Sequence, residues 1–168
     1  YYASRGLGDV YKRQEIYMMR KEFQEFIAKG KMILDGATGS NLQKRGMPTG
    51  VCPEEWILEH PDVLVGLQRE YIEAGSDVLY APTFSGNRIK LEEYGLADQI
   101  GEMNRKLAGL SFEAIRQADT DRQVLVAGDI TMTGQQLYPV GNLPFEELVD
   151  IYKEQIGYLV EAGVDFIV

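Results

Sequence analysis

The feature that most constrains the fold of this chain is a short junction that occurs twice. Residues 73–79 read EAGSDVL and residues 161–167 read EAGVDFI, and each copy follows a stretch with helical periodicity. In both copies the glycine suits the left-handed residue that ends a helix, and the apolar residues after the aspartate are typical of a buried strand. The repeat therefore predicts a chain in which helices and strands alternate.

The rest of the sequence extends this alternation. Apolar residues recur at helical spacing after Pro61, between Ile100 and Ala114, and after Pro144. The apolar runs that indicate strands are Met32–Leu34, Val78–Ala81, Val124–Ala127 and Phe166–Val168. Such alternation favours a parallel sheet, which fits either an open doubly wound sheet or a (β/α)8 barrel. Because Val168 falls inside a predicted strand, we expect the first half of a (β/α)8 TIM barrel, with about four parallel strands and intervening helices.

Composition and charge exclude several classes of function. The formal net charge is -9 and no basic stripe offsets it, which argues against a nucleic-acid partner. No apolar run is long enough for a membrane helix, so we expect no membrane association. The single cysteine, Cys52, excludes an internal disulfide and favours a reducing compartment, so we expect a cytoplasmic protein.

The first residues differ from the rest of the chain. Residues 4–14 (SRGLGDVYKRQ) resemble the translation of a sequencing-library adapter rather than a protein segment. We therefore expect residues 1–14 to be a non-native leader and residues 15–168 to be one truncated domain, with a native start at or near Met18 or Met19.

Small and hydroxyl-bearing residues follow three of the predicted strands. These segments are residues 35–40, 82–87 and 128–134, and ligands of parallel α/β folds bind at this end of the sheet. Asp35 has the charge to bind an ammonium group, and the backbone N–H groups of Gly36 to Gly39 suit a carboxylate, so together they suit an amino acid. Asp35 is equally well explained as a turn residue or as a cap of a short helix over residues 40–44.

Three segments carry a resemblance to a known family. Residues 33–43 (ILDGATGSNLQ), 70–77 (EYIEAGSD) and 81–84 (APTF) closely resemble the homocysteine S-methyltransferase family, which includes the first module of cobalamin-dependent methionine synthase. The order and spacing of the segments match over residues 32–168. The resemblance implies a (β/α)8 barrel, a bound zinc, and methyl transfer to the sulfur of homocysteine from a donor such as methyltetrahydrofolate, through cobalamin.

The resemblance also implies substrate-binding positions. Asp35 matches the family's homocysteine-binding aspartate, and the loop that follows it matches the adjoining contact through Gly36, Ala37, Thr38 and Gly39. Thr83 matches a strand-end threonine, although Pro82 replaces the asparagine that commonly precedes it. Asp129 stands where the family commonly has proline, and we include this additional carboxylate among the candidate substrate contacts.

The zinc ligands that the resemblance implies are cysteines of the second half of the barrel, and none lies in this chain. Zinc would keep the homocysteine sulfur as a thiolate, so we expect the chain alone to be inactive. A family glutamate that follows the fourth strand would fall beyond Val168. Cys52 has no second cysteine near it, and His60 lies at a predicted helix start, so we expect neither a metal ligand nor a catalytic histidine there.

Two other interpretations stay open. The chain also fits a non-enzymatic four-stranded α/β module that binds a small ligand at the Asp35 loop, or another barrel class such as a pterin-binding domain. Under the family resemblance the partners are homocysteine and a methyl donor, with a cobalamin-binding module or protein as a further partner.

Overall fold

The computed structural model of the protein describes residues 20–168. The adapter-like leader over residues 1–14 and the expected native start at Met18 or Met19 lie outside the described residues. The helices are α1 Arg20–Ala28, α2 Thr38–Lys44, α3 Pro53–Glu59, α4 Pro61–Ala74, α5 Arg88–Glu92, α6 Ile100–Ala118 and α7 Phe145–Ala162, with a 3-10 helix over Ala97–Gln99. The strands are β1 Val78–Tyr80, β2 Leu125–Gly128 and β3 Phe166–Ile167. No helix within residues 20–168 is long and apolar enough to cross a membrane.

The three strands form one parallel sheet in the order β1-β2-β3. Val78 pairs with Leu125, and Ala127 pairs with Phe166. The predicted alternation of helices with parallel strands is therefore confirmed. The ends of these strands differ from the predicted ends by one residue.

The predicted strand over Met32–Leu34 is wrong as a full strand. Only Leu34 forms a bridge to β1, in the parallel sense. One residue later the Asp35 carboxylate, rather than a main-chain carbonyl, accepts the hydrogen bond of Tyr80 N–H at 3.0 Å. On the other side of Leu34, Ile33 N–H donates to the Asp77 carboxylate at 3.0 Å rather than to a main-chain carbonyl. Side chains thus accept on both sides of Leu34, and regular pairing with β1 is limited to that one residue.

Both faces of the sheet are covered. On one face Leu79 of β1 packs with Ile72 of α4, and Val126 of β2 packs with Leu159 of α7. On the other face Phe23 of α1 packs against the buried cluster that contains residues of β1 and β2. Burial of each such large apolar side chain stabilises the fold by roughly 1.5–3 kcal/mol. The ends of the strands, rather than the faces of the sheet, are therefore where a ligand has access.

The glycines of the repeated junction adopt the same conformation in both copies. Gly75 ends α4 with φ of 109°, and Gly163 ends α7 with φ of 88°. Both values lie in the left-handed region, which glycine adopts at no steric cost. The helix-to-strand junction predicted from the repeat is confirmed at both sites.

The aspartates of the junction also repeat their contacts. Asp77 donates its main-chain N–H to Ile33 O at 2.7 Å, and its carboxylate accepts from Ile33 N–H at 3.0 Å. Asp165 makes the same pair of hydrogen bonds with Val126, each at 2.8 Å. Each aspartate therefore connects the start of its own strand to the preceding strand segment.

Candidate functional site

A cavity of about 470 Å³ lies at the C-terminal ends of the Leu34 segment, β1 and β2. Six of the seven predicted substrate-binding residues line it: Asp35, Gly36, Ala37, Thr38, Gly39 and Asp129. The rest of the described wall comes from α2, the start of α3 and the end of β1, through Leu42, Pro53, Glu54, Ile57, Tyr80, Ala81, Pro82, Phe84 and Ser85. The structure thus brings together the segments that follow the first three predicted strands.

Asp35 places a partly buried carboxyl group in the cavity wall. Its Oδ2 accepts from Tyr80 N–H at 3.0 Å, and its Oδ1 is buried with no hydrogen-bond partner among residues 20–168. Burial raises the pKa of Asp35 to about 7, and the charge of Asp129 adds to this increase. The alternative role as a helix cap is wrong, because the residue before α2 is Ala37 and no described side chain caps that helix.

The Gly36–Gly39 segment, which leads into α2, is held in place by a tyrosine of α4. Tyr71 of α4 donates its hydroxyl to Ala37 O at 2.9 Å, and Asn41 donates to the same hydroxyl oxygen at 2.9 Å. A Cβ at Gly36 would lie 2.8 Å from Tyr71 Cε1, so only glycine allows this close approach. Tyr71 therefore positions the segment that follows Asp35.

Asp129 and Thr83 are placed differently from each other. Asp129 lines the cavity, and burial raises the pKa of its carboxyl to about 6. Thr83 is fully buried outside the lining and donates its hydroxyl to the main-chain carbonyl of Asp129 at 2.8 Å. In this arrangement Thr83 holds the Asp129 segment, while the Asp129 side chain is available to a ligand.

Sequence reasoning missed Glu54 as a site residue. Glu54 is 3% exposed yet lines the cavity, and its Oε1 accepts from Ser85 N–H at 2.8 Å. Burial raises the pKa of this carboxyl group above its ordinary value. One signal was present: Glu54 lies three residues before the buried Ile57, so both face the same side of α3.

Known proteins resemble this chain over the region that contains the cavity. A family model described as homocysteine S-methyltransferase matches residues 32–168, which include every residue of the cavity wall. The chain belongs to the homocysteine S-methyltransferase family. The resemblance found in residues 33–43, 70–77 and 81–84 is therefore confirmed.

Two relatives in this family are longer than the chain. The chain is 29% identical over 154 residues to betaine-homocysteine S-methyltransferase 1 of Bos taurus, covering 89% of this chain and 37% of that protein. It is 30% identical over 145 residues to methionine synthase of Mycobacterium tuberculosis, covering 81% of this chain and 12% of that protein. The chain therefore spans little more than a third of the first of these homocysteine S-methyltransferase relatives.

A solved structure of the family shares the fold. The metallated form of the homocysteine methyltransferase MmuM from Escherichia coli matches with a TM-score of 0.70 at 20% sequence identity. The match covers 85% of this chain and 55% of that chain. The mixed α/β architecture with a parallel sheet is thus common to both.

The described residues do not fit the thiolate zinc site that the family resemblance implies. Within residues 20–168 no group of three or more His, Cys, Asp and Glu side chains is placed to hold a metal ion. Cys52 is buried and donates its S–H to Glu54 at 3.6 Å, and burial raises the pKa of the thiol to about 11. His60 stacks on the buried Trp56 with ring centroids 4.2 Å apart. We therefore assign no metal-dependent step to these side chains.

Proposed function

We propose that this chain provides the homocysteine-binding part of a homocysteine S-methyltransferase. The observation that carries the proposal is Asp35, whose buried Oδ1 has no hydrogen-bond partner among the described residues. A buried acceptor without a donor costs free energy, and a ligand that supplies the donor recovers it. The ammonium group of an amino acid is such a donor, and its charge strengthens the bond.

The charge of the cavity supports the same orientation of the ligand. Asp35, Asp129 and Glu54 line the cavity, and no Lys or Arg is among the described lining residues. We place the substrate ammonium group between Asp35 and Asp129, because opposite charges attract most strongly where water is partly excluded. We place its carboxylate against the main chain of Gly36 to Gly39, and its side chain against the apolar wall near Phe84.

The proposed reaction is methyl transfer to the homocysteine sulfur. The thiol gives up its proton to solvent, the thiolate attacks the methyl carbon, and the S–C bond forms as the bond from that carbon to the donor breaks. The electron pair of the broken bond leaves with the donor. The residues described here contribute binding and orientation, which favour reaction by holding the sulfur in one place. We place the zinc implied by the family, and the methyl donor with its methyltetrahydrofolate or cobalamin module, outside residues 20–168.

We further propose that the sheet is the first half of a (β/α)8 barrel and that residues 15–168 belong to one domain. The exposed residues at the side of the sheet beside β1 support this: Ile33 is 55% exposed and Leu34 is 41% exposed. A further parallel strand on that side would cover them. A cytoplasmic location is proposed on the reduced, buried Cys52.

The substitution Asp35→Asn tests the proposal in the full-length protein that carries this chain. Asparagine keeps the shape but removes the charge, so homocysteine affinity should fall about ten- to a hundredfold, on the order of 1.5–3 kcal/mol. Calorimetric titration measures the affinity, and thermal unfolding shows whether the fold is retained.

Asp165→Asn is the matched control, because Asp165 accepts from Val126 N–H at 2.8 Å outside the cavity lining. It should leave homocysteine affinity unchanged. Unchanged affinity in folded Asp35→Asn would assign Asp35 to the structure of the strand end alone, and wild-type protein without homocysteine binding would reject the proposed function.

A further inference from the structure

Two buried amide side chains hold the part of the cavity wall that follows β1. Gln155 of α7 and Asn104 of α6 are both 0% exposed. Gln155 Nε2 donates to Thr83 O at 2.8 Å and to Asn104 Oδ1 at 3.2 Å. Asn104 Nδ2 donates to Gly86 O at 2.8 Å. The amide pair therefore fixes both ends of the segment over residues 83–86.

The middle of this segment lines the cavity. Phe84 is 53% exposed there, and Ser85 follows it in the wall. Ser85 also donates its N–H to Glu54 Oε1 at 2.8 Å, which ties the segment to the start of α3. The positions of Phe84 and Ser85 thus depend on carbonyl groups that the two amides hold.

The packing at the end of the segment leaves no room for a side chain at Gly86. A Cβ at Gly86 would lie 2.7 Å from Asn104 Oδ1, 2.9 Å from Thr83 O and 3.0 Å from Gln155 Nε2. A single methyl group there would force the segment or the amides to move.

The amide pair does more than fill space, because its hydrogen bonds are directional. Burying an amide costs free energy unless its groups are hydrogen-bonded, and apolar side chains of similar volume would fill the same space without that cost. Gln155 Oε1 is itself buried with no partner among residues 20–168. The hydrogen bonds from the two amides fix the positions of the main-chain carbonyls of Thr83 and Gly86.

We infer that Gln155, together with Asn104, is a positioning residue that sets homocysteine affinity by fixing residues 83–86 in the cavity wall. The inference rests on the proposed function. Neither amide is among the residues that line the cavity, so both act through the segment and do not touch the ligand.

The test uses two variants that disturb the same network in different ways, in the full-length protein that carries this chain. Gln155→Met nearly keeps the side-chain volume and removes both donated hydrogen bonds. Gly86→Ala removes no polar group and places a methyl group within the network. Ser111→Ala is the control, because Ser111 is also 0% exposed on α6 but lies outside the cavity lining.

Two measurements separate positioning from general stabilisation. Calorimetric titration of folded protein should show homocysteine affinity about tenfold weaker in Gln155→Met and Gly86→Ala. Hydrogen exchange without ligand should be faster at the Ser85 amide in both variants. Ser111→Ala should change neither quantity. A purely structural role would lower the melting temperature and leave the affinity of folded molecules unchanged.

The outcomes distinguish this inference from the proposed function. If Gln155→Met does not fold, Gly86→Ala decides, and wild-type affinity with unchanged exchange in that variant overturns the positioning role. If wild-type protein does not bind homocysteine, the proposed function fails and the inferred effect on affinity fails with it. Exchange at Ser85 would still show whether the amide pair fixes the segment.

Discussion

Two segments of the cavity wall, residues 35–39 and 83–86, are fixed by different means. The first is held by a tyrosine hydroxyl and by a carboxylate of its own, and that carboxyl group has a pKa of about 7. The second contains no ionisable side chain and is held by amides that are 0% exposed. The first segment can change its charge near neutral pH, whereas the second has no group that ionises and is held at both end carbonyls.

The difference suggests a division of roles within one cavity. Charge recognition is assigned to a segment whose carboxylate still has an unused acceptor, Asp35 Oδ1. The shape of the cavity wall is assigned to residues 83–86, whose end carbonyls accept hydrogen bonds from buried amides. Each prediction below disturbs the first segment in a way that should leave the second unchanged.

The largest expected effect is steric. In Gly36→Ala the new Cβ would lie 2.8 Å from Tyr71 Cε1 and 2.9 Å from its hydroxyl oxygen. Overpacking of this kind lowers the free energy of unfolding by about 1–3 kcal/mol, which urea unfolding measures.

Gly39→Ala is the matched control three residues along the chain, at the start of α2. A Cβ at Gly39 meets no described atom within 4 Å, and Gly39 lies in α2, where alanine is favoured over glycine. Its stability should be unchanged or slightly higher. Equal losses in both variants would contradict the role assigned to the Tyr71 contact.

The next effect is a dependence of homocysteine affinity on pH. A carboxyl group with a pKa of about 7 is about one-tenth ionised at pH 6 and about nine-tenths ionised at pH 8, so affinity should rise up to about tenfold across that range. Titration calorimetry of wild type and Asp35→Asn measures it. The ratio of the two affinities cancels the ionisation of the ligand, and a ratio that does not change with pH would count against Asp35 as the ammonium contact.

The same ionisation has the opposite effect on folding. Because the pKa of Asp35 is raised from 3.8 to about 7, the folded state holds the proton more tightly than the unfolded chain. Its contribution to stability is full below pH 3.8 and is lost as the pH rises through about 7. Stability and affinity should therefore change in opposite directions with pH at this residue.

The smallest effect is the loss of one hydroxyl group. Tyr71→Phe removes the hydrogen bond to Ala37 O and should lower the free energy of unfolding by about 0.5–1.5 kcal/mol. Tyr94→Phe, at a tyrosine that is 45% exposed, serves as the control and should be near neutral. Hydrogen exchange at residues 83–86 should stay at its wild-type rate in both, and faster exchange in Tyr71→Phe would show that the two segments are coupled.

The sequence predicted those parts of the molecule that depend on local signals. Helix-ending glycines and apolar runs predicted the parallel alternation, and the loop after Leu34 predicted where Asp35 would lie. The strand predicted over Met32–Leu34 is reduced to one bridge because carboxylates accept main-chain hydrogen bonds on both sides of Leu34, and local composition does not show such contacts. The inward position of Thr83 depends on a carbonyl 46 residues away.

The buried amides correspond to a sequence signal, a polar residue within an apolar helical stripe. Gln155 lies four residues from both Ile151 and Leu159, within an otherwise apolar helical stripe. Asn104 has the same relation to Ile100 and Ala108. A polar residue at the centre of an apolar stripe indicates a buried hydrogen-bonding partner, but its identity depends on how the helices pack.

The junction aspartates determine how successive strands of the sheet are aligned. Asp77 and Asp165 each align a new strand on the one before it, using only the main chain of that neighbour. The register of each strand is thus set by contacts with the neighbouring strand segment alone. Because the contacts are to main-chain atoms, the register that each aspartate sets does not depend on the side chain of the residue it pairs with.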